Sequence, residues 1–240
     1  MQKTTFEKER ERIILGHRYV IGIDEVGRGP LAGPVVACAA MLKNIEYRIS
    51  NIEKEEEDKR WDLIRDSKKL SEKQREKICE FIQEHFEVGI GIIAAETIDR
   101  VNILEATFLA MKSALSQLLK KLPREAAEQC YILIDGNQKI PNCSYHQECL
   151  IGGDGIVKSI AAASIVAKVT RDRMMDEYEK QYGGYGLGKH KGYGTKVHMD
   201  ALRRLGPCPI HRMSFRPVFL SLPENANKRF ANVLKPKKAK

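Results

Sequence analysis

Tyr19-Val20-Ile21-Gly22-Ile23-Asp24-Glu25-Val26-Gly27-Arg28-Gly29-Pro30-Leu31-Ala32-Gly33-Pro34 sets an apolar run against two adjacent carboxylates, then a glycine-rich turn holding one arginine. Residues 19–24 read as a buried strand. Acids at a strand end can hold divalent cations, and glycines around an arginine let backbone amides approach a phosphate or sugar. A second apolar run, 34–42, returns too soon for a crossover helix, so the two strands are expected to form an antiparallel hairpin.

Cys130-Tyr131-Ile132-Leu133-Ile134-Asp135-Gly136 repeats the design of strand, aspartate and glycine turn. If the two strands are parallel neighbours, joined by the helix that apolar spacing marks from Asn102 to Leu122, their ends lie side by side about 4.8 Å apart. That edge is where open α/β sheets bind ligands, and carboxylates so spaced suit metal ions roughly 3.5–4 Å apart. Glu25 joins Asp24 only where the chain bends, which Gly27 and Gly29 allow. Asp154, among Gly152, Gly153 and Gly155 and ahead of a long helix, reads as a fourth ligand or as a helix cap. Clustered carboxylates raise one another's pKa unless cations neutralise them. An all-oxygen set without histidine or cysteine at ligand spacing fits Mg²⁺ or Mn²⁺ rather than zinc, and implies metal-dependent phosphodiester hydrolysis.

Around these segments the pattern predicts a charged helix at 7–15, a charged insertion at 43–62 without a core-facing period, and a helix opened by a Ser71–Gln74 capping box. It continues with a third strand at 86–94, a strand at 148–151, a long helix from about 157 to 180 and a helix at 196–205. Ala161-Ala162-Ala163-Ser164 offers small residues for close packing on the sheet. The architecture is α/β, a mixed sheet flanked by helices with a mostly helical C-terminal part from about 183. Residues 1–222 read as one catalytic domain and 223–240 as a basic tail.

The chain has 240 residues, 42% of them hydrophobic, and a net charge of +9, which favours polyanionic partners. Lys189, Lys191, Lys196, Arg203, Arg204, Arg212 and Arg216, against the single acid Asp200, read as a nucleic-acid surface. No segment nears the ~20 apolar residues that cross a bilayer, and no apolar leader stands at the start. Cys38, Cys79, Cys130, Cys143, Cys149 and Cys208 form no CxxC pair, so a reducing cytoplasm is expected. A monomer is expected as well, since no heptad pattern is present.

The chain resembles the ribonuclease HII family, the bacterial type 2 ribonucleases H, from Glu9 to about Leu222. The resemblance is carried by Asp24 to Val36, Asp66-Ser67-Lys68-Lys69-Leu70-Ser71, Asn102 to Thr107, Asp135-Gly136-Asn137, Gly153 to Asp172, His190 to Lys196 and His211 to Val218. It implies a ribonuclease H-like sheet and endonucleolytic cutting of RNA in RNA–DNA hybrids and at single ribonucleotides in duplex DNA, leaving 5′-phosphate and 3′-hydroxyl ends. It also implies Asp24, Glu25, Asp135 and Asp154 as metal ligands, Gly27, Arg28 and Gly29 as readers of the 2′-hydroxyl, and Tyr193 against the following sugar. Ser67 and Lys68 are candidate phosphate contacts, and Lys168 or Arg171 a phosphate contact or a balance for the carboxylates. The related ribonuclease HIII pattern lacks this Gly-Arg-Gly-Pro-Leu-Ala-Gly arrangement. Two other classes stay open on the residues alone: a nonenzymatic nucleic-acid-binding module, and a different carboxylate nuclease acting on all-DNA structures.

Overall fold

Tyr19-Val20-Ile21 and Tyr131-Ile132-Leu133-Ile134 supply the β-branched and aromatic residues that strands favour, and Ser71 and Thr195 cap helices with their side chains. The structure, a computed structural model, describes residues 3–43, 58–123, 126 and 129–222. In chain order come α1 (Glu7–Ile14), β1 (Tyr19–Val26), β2 (Val35–Leu42), α2 (Glu72–His85) and β3 (Phe86–Ile93). Then follow α3 (Ala95–Val101), α4 (Ile103–Leu119), β4 (Cys130–Asp135) and β5 (His146–Leu150). The long α5 (Lys158–Gln181) and the shorter α6 (Leu187–His190), α7 (Lys196–Leu205) and α8 (Arg216–Phe219) complete the order. The expected tail at 223–240 and most of the charged insertion, 44–57, lie outside the described residues. At the insertion's end Trp61 is buried edge-on against Phe6 and Phe81, so that stretch reaches the core after all.

The strand order is β3-β2-β1-β4-β5. β1 and β2 form the expected antiparallel hairpin, with Val26 opposite Val36. β1 and β4 run parallel, with Tyr19 opposite Cys130 and Ile23 opposite Ile134, so Asp24 and Asp135 follow on the next rung. β5 is parallel to β4 and begins at His146, two residues ahead of the expected start. The sheet is therefore mixed. The helix expected from Asn102 to Leu122 is α4; a further short helix, α3, precedes it unannounced, parted from it at Asn102, whose φ of 75° breaks the helical run. Its side-chain oxygen accepts the Leu104 N–H at 2.9 Å and the Glu105 N–H at 3.1 Å, capping α4. The short α3 buries only Ala95 and Ile98, too few for a periodic signal.

The chain folds as two compact units. The first comprises Met1–Val26, Val36–Ile92 and Phe108–Thr170; the second comprises Gly27–Val35, Ile93–Thr107 and the chain from Arg171. Within the first, α5 lies directly on β1: a Cβ at Gly22 would collide with the Ser159 carbonyl carbon, and Ala161, Ala162 and Ala163 are fully buried. The capping box forms as expected, Ser71 accepting from Gln74 and Gln74 returning to the Ser71 N–H. Within the second, Leu31, Met175, Leu187, Leu202 and Val218 form a core of their own. All six cysteines are free thiols. No helix among the described residues is long and apolar enough to cross a membrane.

Candidate active site

Asp24, Asp135 and Asp154 come together in the first unit, each offering a carboxylate oxygen, and these atoms lie within 4.8 Å of one another. Parallel pairing of β1 and β4 delivers the first two. The third comes from the short 3₁₀ turn Gly153–Gly155, entered through Gly152 at a left-handed φ of 68°. Asp135 holds that turn in place by accepting the Gly153 N–H at 2.7 Å. Asp154 is thus a member of the cluster and does more than start a helix.

Glu25, the next residue along β1, is not one of the three in that 4.8 Å group, although its charge acts on Asp24 ahead of that of Asp135. β1 continues through Val26, so the chain does not bend until Gly27, whose φ is 91°. Glu25 is half-buried, and its N–H donates to Asp24 Oδ1 at 2.7 Å. Burial, then the charges of Glu25 and Asp135, push the Asp24 carboxyl well above the ordinary range, against the pull of a Ser164 hydroxyl. Burial, Asp135 and Asp66 likewise raise Asp154, while Lys68 opposes them.

Lys68 Nζ is 3.7 Å from Asp154, but the lysine side chain is 82% exposed. Burial works against its charge, yet Asp154, Asp66, Asp24 and Asp135 together hold its pKa above the usual value. A solvated lysine compensates a buried carboxylate weakly. The donor set is oxygen-only, enclosed and under-compensated, which fits a hard divalent cation. Ser67, expected at a phosphate, is buried instead, its hydroxyl 3.0 Å from that of Ser164. Lys68 is the member of that pair that faces outward.

The second unit carries the glycine turn. Arg212 has no exposed surface and donates to the carbonyls of Gly33 at 3.0 Å, Arg28 at 2.9 Å and Gly27. Arg171, equally buried, donates to Pro34 at 3.0 Å, Ala32 at 3.0 Å and Lys191 at 2.9 Å. Burial lowers both guanidinium pKa values, Arg171 to about 10 and Arg212 to about 9, so both stay charged at neutral pH. Gly27 is required here, because a Cβ would run into the Arg171 side chain. Tyr193 is exposed, and a Cβ on Gly29 would sit 3.8 Å from its ring.

Two expectations are corrected by these placements. Arg171 is no balance for the carboxylates, since three backbone carbonyls occupy its guanidinium. Arg212 leaves the basic surface for the same reason, while Lys189, Lys196, Arg203, Arg204 and Arg216 remain exposed. Lys168 is half-buried. Sequence reasoning missed the carbonyl-gathering role of both arginines and the place of Ser164 behind Asp24. A signal existed for Arg171: it sits four residues from both Ala167 and Met175, on the inward stripe of α5.

A mixed sheet in this order, with aspartates gathered where two parallel strands end, defines a ribonuclease H-like hydrolase. Comparison with known proteins narrows the class. The ribonuclease HII family profile matches residues 21–218. The ribonuclease HII of Endomicrobium trichonymphae is 45% identical over 219 residues, 91% of this chain and 95% of that protein. That of Ruminiclostridium cellulolyticum is 49% identical over 208 residues, 86% and 73% of the two chains. Two solved structures share the fold. The Archaeoglobus fulgidus ribonuclease HII in complex with PCNA has a TM-score of 0.63 at 22% identity, covering 85% of this chain and 97% of that one. Bst ribonuclease HIII in complex with Mn²⁺ has a TM-score of 0.68 at 21% identity, covering 91% and 73%. The chain belongs to the ribonuclease HII family. It is a ribonuclease H, an endonuclease on the RNA strand of RNA–DNA hybrids.

Proposed function

We propose that the chain cuts RNA–DNA hybrids and also DNA duplexes carrying single ribonucleotides, by two-metal-ion hydrolysis that leaves 5′-phosphate and 3′-hydroxyl ends. The observation that carries the reading is the convergence of Asp24, Asp135 and Asp154 in a chain of this family. Those three and Glu25 would hold the ions, Mg²⁺ or Mn²⁺. A fold relative described with Mn²⁺ is consistent with that choice. Bound there, the cations supply positive charge at the scissile phosphate and an acidified water.

The chain's own residues supply position and selectivity. Gly27, Arg28 and Gly29 would read the 2′-hydroxyl, the group that separates RNA from DNA at one position. Arg171 and Arg212 support this role by turning the carbonyls of the 27–34 loop inward. Tyr193 would pack on the sugar after the ribonucleotide and favour a deoxyribose there. Lys68 would meet a backbone phosphate, and Ser67 would act from beneath, through Ser164, on Asp24. A role in ribonucleotide excision during DNA replication and repair, in the cytoplasm and as a monomer, follows from this substrate choice and composition.

The test is a labelled DNA duplex with one internal ribonucleotide, incubated with and without Mg²⁺ or Mn²⁺. Metal-dependent cutting on the 5′ side of the ribonucleotide is expected, with a product that ligates only when a 5′-phosphate is present. Cutting of an all-DNA duplex at equal rate, or cutting in the presence of chelator, would overturn the reading.

A further inference from the structure

Tyr193 combines an exposed ring with a backbone tied on both sides. Its N–H donates to the His190 carbonyl at 2.9 Å, and its carbonyl accepts the Thr195 N–H at 2.8 Å. The same carbonyl faces His198 Nδ1 at 3.0 Å. One residue earlier, the Gly192 N–H donates to His190 Nδ1 at 3.2 Å, and the Gly192 carbonyl accepts the Leu31 N–H at 2.8 Å. A surface aromatic with no task has no need of so many constraints.

The imidazoles behind the loop admit one consistent set of protons. The Cys208 N–H lies 2.9 Å from His211 Nδ1 and can only donate, so that nitrogen accepts. The Cys208 carbonyl, at 3.3 Å, is a poorer partner for it. The proton of neutral His211 then sits on Nε2, 2.9 Å from His198 Nε2. That nitrogen must accept in turn, which leaves the His198 proton on Nδ1, aimed at the Tyr193 carbonyl. Both rings are buried, and His190 stacks on His198 with centroids 4.5 Å apart. Burial, then the neighbouring His198, pushes His211 down to about 4, and burial lowers His198 as well, so both rings are neutral near pH 7.

We propose that His198 and His211 are positioning residues: a hydrogen-bond relay from Cys208 through His211 and His198 fixes Tyr193 beside Gly29, and so sets the selectivity for a ribonucleotide followed by a deoxyribonucleotide. The inference rests on the reading of Tyr193 given above. Neither histidine touches substrate. Their effect is felt as the placement of one ring, and a displacement of about 1 Å at a binding group is enough to cost as much as 10²-fold in rate.

The relay makes opposite demands at its two histidines. An asparagine amide reaches where Nδ1 stood and a glutamine amide where Nε2 stood. At 198 the bond to Tyr193 leaves from Nδ1, so His198→Asn keeps it and His198→Gln loses it. At 211 the bond to His198 leaves from Nε2, so His211→Gln keeps it and His211→Asn loses it. The quantity to measure is the ratio of cleavage rates on a single-ribonucleotide duplex and on an RNA–DNA hybrid, each variant acting as its own control for folding. The expected result is a ratio lowered about tenfold in His198→Gln and less in His211→Asn, and near wild type in the other two. The same order of amides at both positions, or equal loss on both substrates, would overturn the relay. Where one pair of variants does not fold, the remaining pair must still show its own order. Tyr193→Ala in the same assay separates the two ideas. An unselective loss there removes the reading of Tyr193 and the relay with it; a selective loss there with unchanged ratios in the histidine variants removes the relay alone.

Discussion

Asp24 and Asp154 are buried beside another carboxylate, whereas Arg171 and Arg212, with no exposure at all, are each surrounded by three backbone carbonyls. The first region concentrates like charge, and the lysine set against Asp154, Lys68, is largely solvated. In the second, an oxygen partner faces each guanidinium on several sides. Burying a charge is costly unless it is paired or hydrogen-bonded. The arginines meet that condition from within the protein and serve as scaffold. The aspartates meet it only in part, through the Glu25 N–H and Ser164 on Asp24, the Gly153 N–H on Asp135 and the solvated Lys68 by Asp154, and the remaining deficit is the signature of a site completed by something from outside. Burial alone does not identify function; the completeness of compensation does.

The strongest way to break the comparison is at the acids. Asp135→Asn is expected to lower cleavage by roughly 10³-fold or more while hybrid binding persists and the melting temperature holds or rises. Single-turnover cleavage with Mn²⁺ alongside gel-shift binding reads both; full activity with Mn²⁺ would end the metal assignment. The opposite substitution belongs in the second region. Arg212→Met should destabilise by about 3–5 kcal/mol, because it leaves the Gly27, Arg28 and Gly33 carbonyls without their donor. Denaturant melts measure this, and a loss below about 1 kcal/mol, the scale of an ordinary surface change, would show the carbonyls finding other partners.

Metal itself sharpens the contrast. A cation that binds only the folded cluster stabilises it by about 2.7 kcal/mol at a hundredfold excess over its Kd. Wild type should melt higher with Mg²⁺ or Mn²⁺ than with chelator, and Asp135→Asn should lose most of that gain. The smallest effect lies with the histidines. His211 has a folded pKa near 4 against 6.5 for the free side chain, so the unfolded chain takes up its proton first as pH falls. Stability from this group is complete above about 6.5 and is lost as pH drops toward 4, with a slope of at most about 1.4 kcal/mol per pH unit per proton. His211→Gln should flatten that part of the stability curve, and an unchanged curve would place the titration elsewhere.

Much of the fold was legible from local pattern. The two strand-aspartate-glycine segments, the hairpin, the capping box and the mixed sheet depend on periodicity and turn chemistry, which are properties of neighbouring residues. The short α3 was hidden because its seven residues bury only Ala95 and Ile98, too few to show a period. Trp61 was hidden because the acidic run ahead of it masks a single anchor. Arg171 and Arg212 read as surface charge because composition counts cations without recording what surrounds them.

By itself the sequence determined which residues bear the chemistry and which two strands end in aspartate, since side-chain type and period are written in it directly. Only the tertiary structure decided that Asp154 joins Asp24 and Asp135 while Glu25 stays in its strand, that Ser67 turns inward, and that two arginines and two histidines hold loops in place. The physical reason is that compensation of buried charge and polar groups depends on partners as many as 185 residues away along the chain, as for Arg212 and Gly27, and no local pattern encodes such distances.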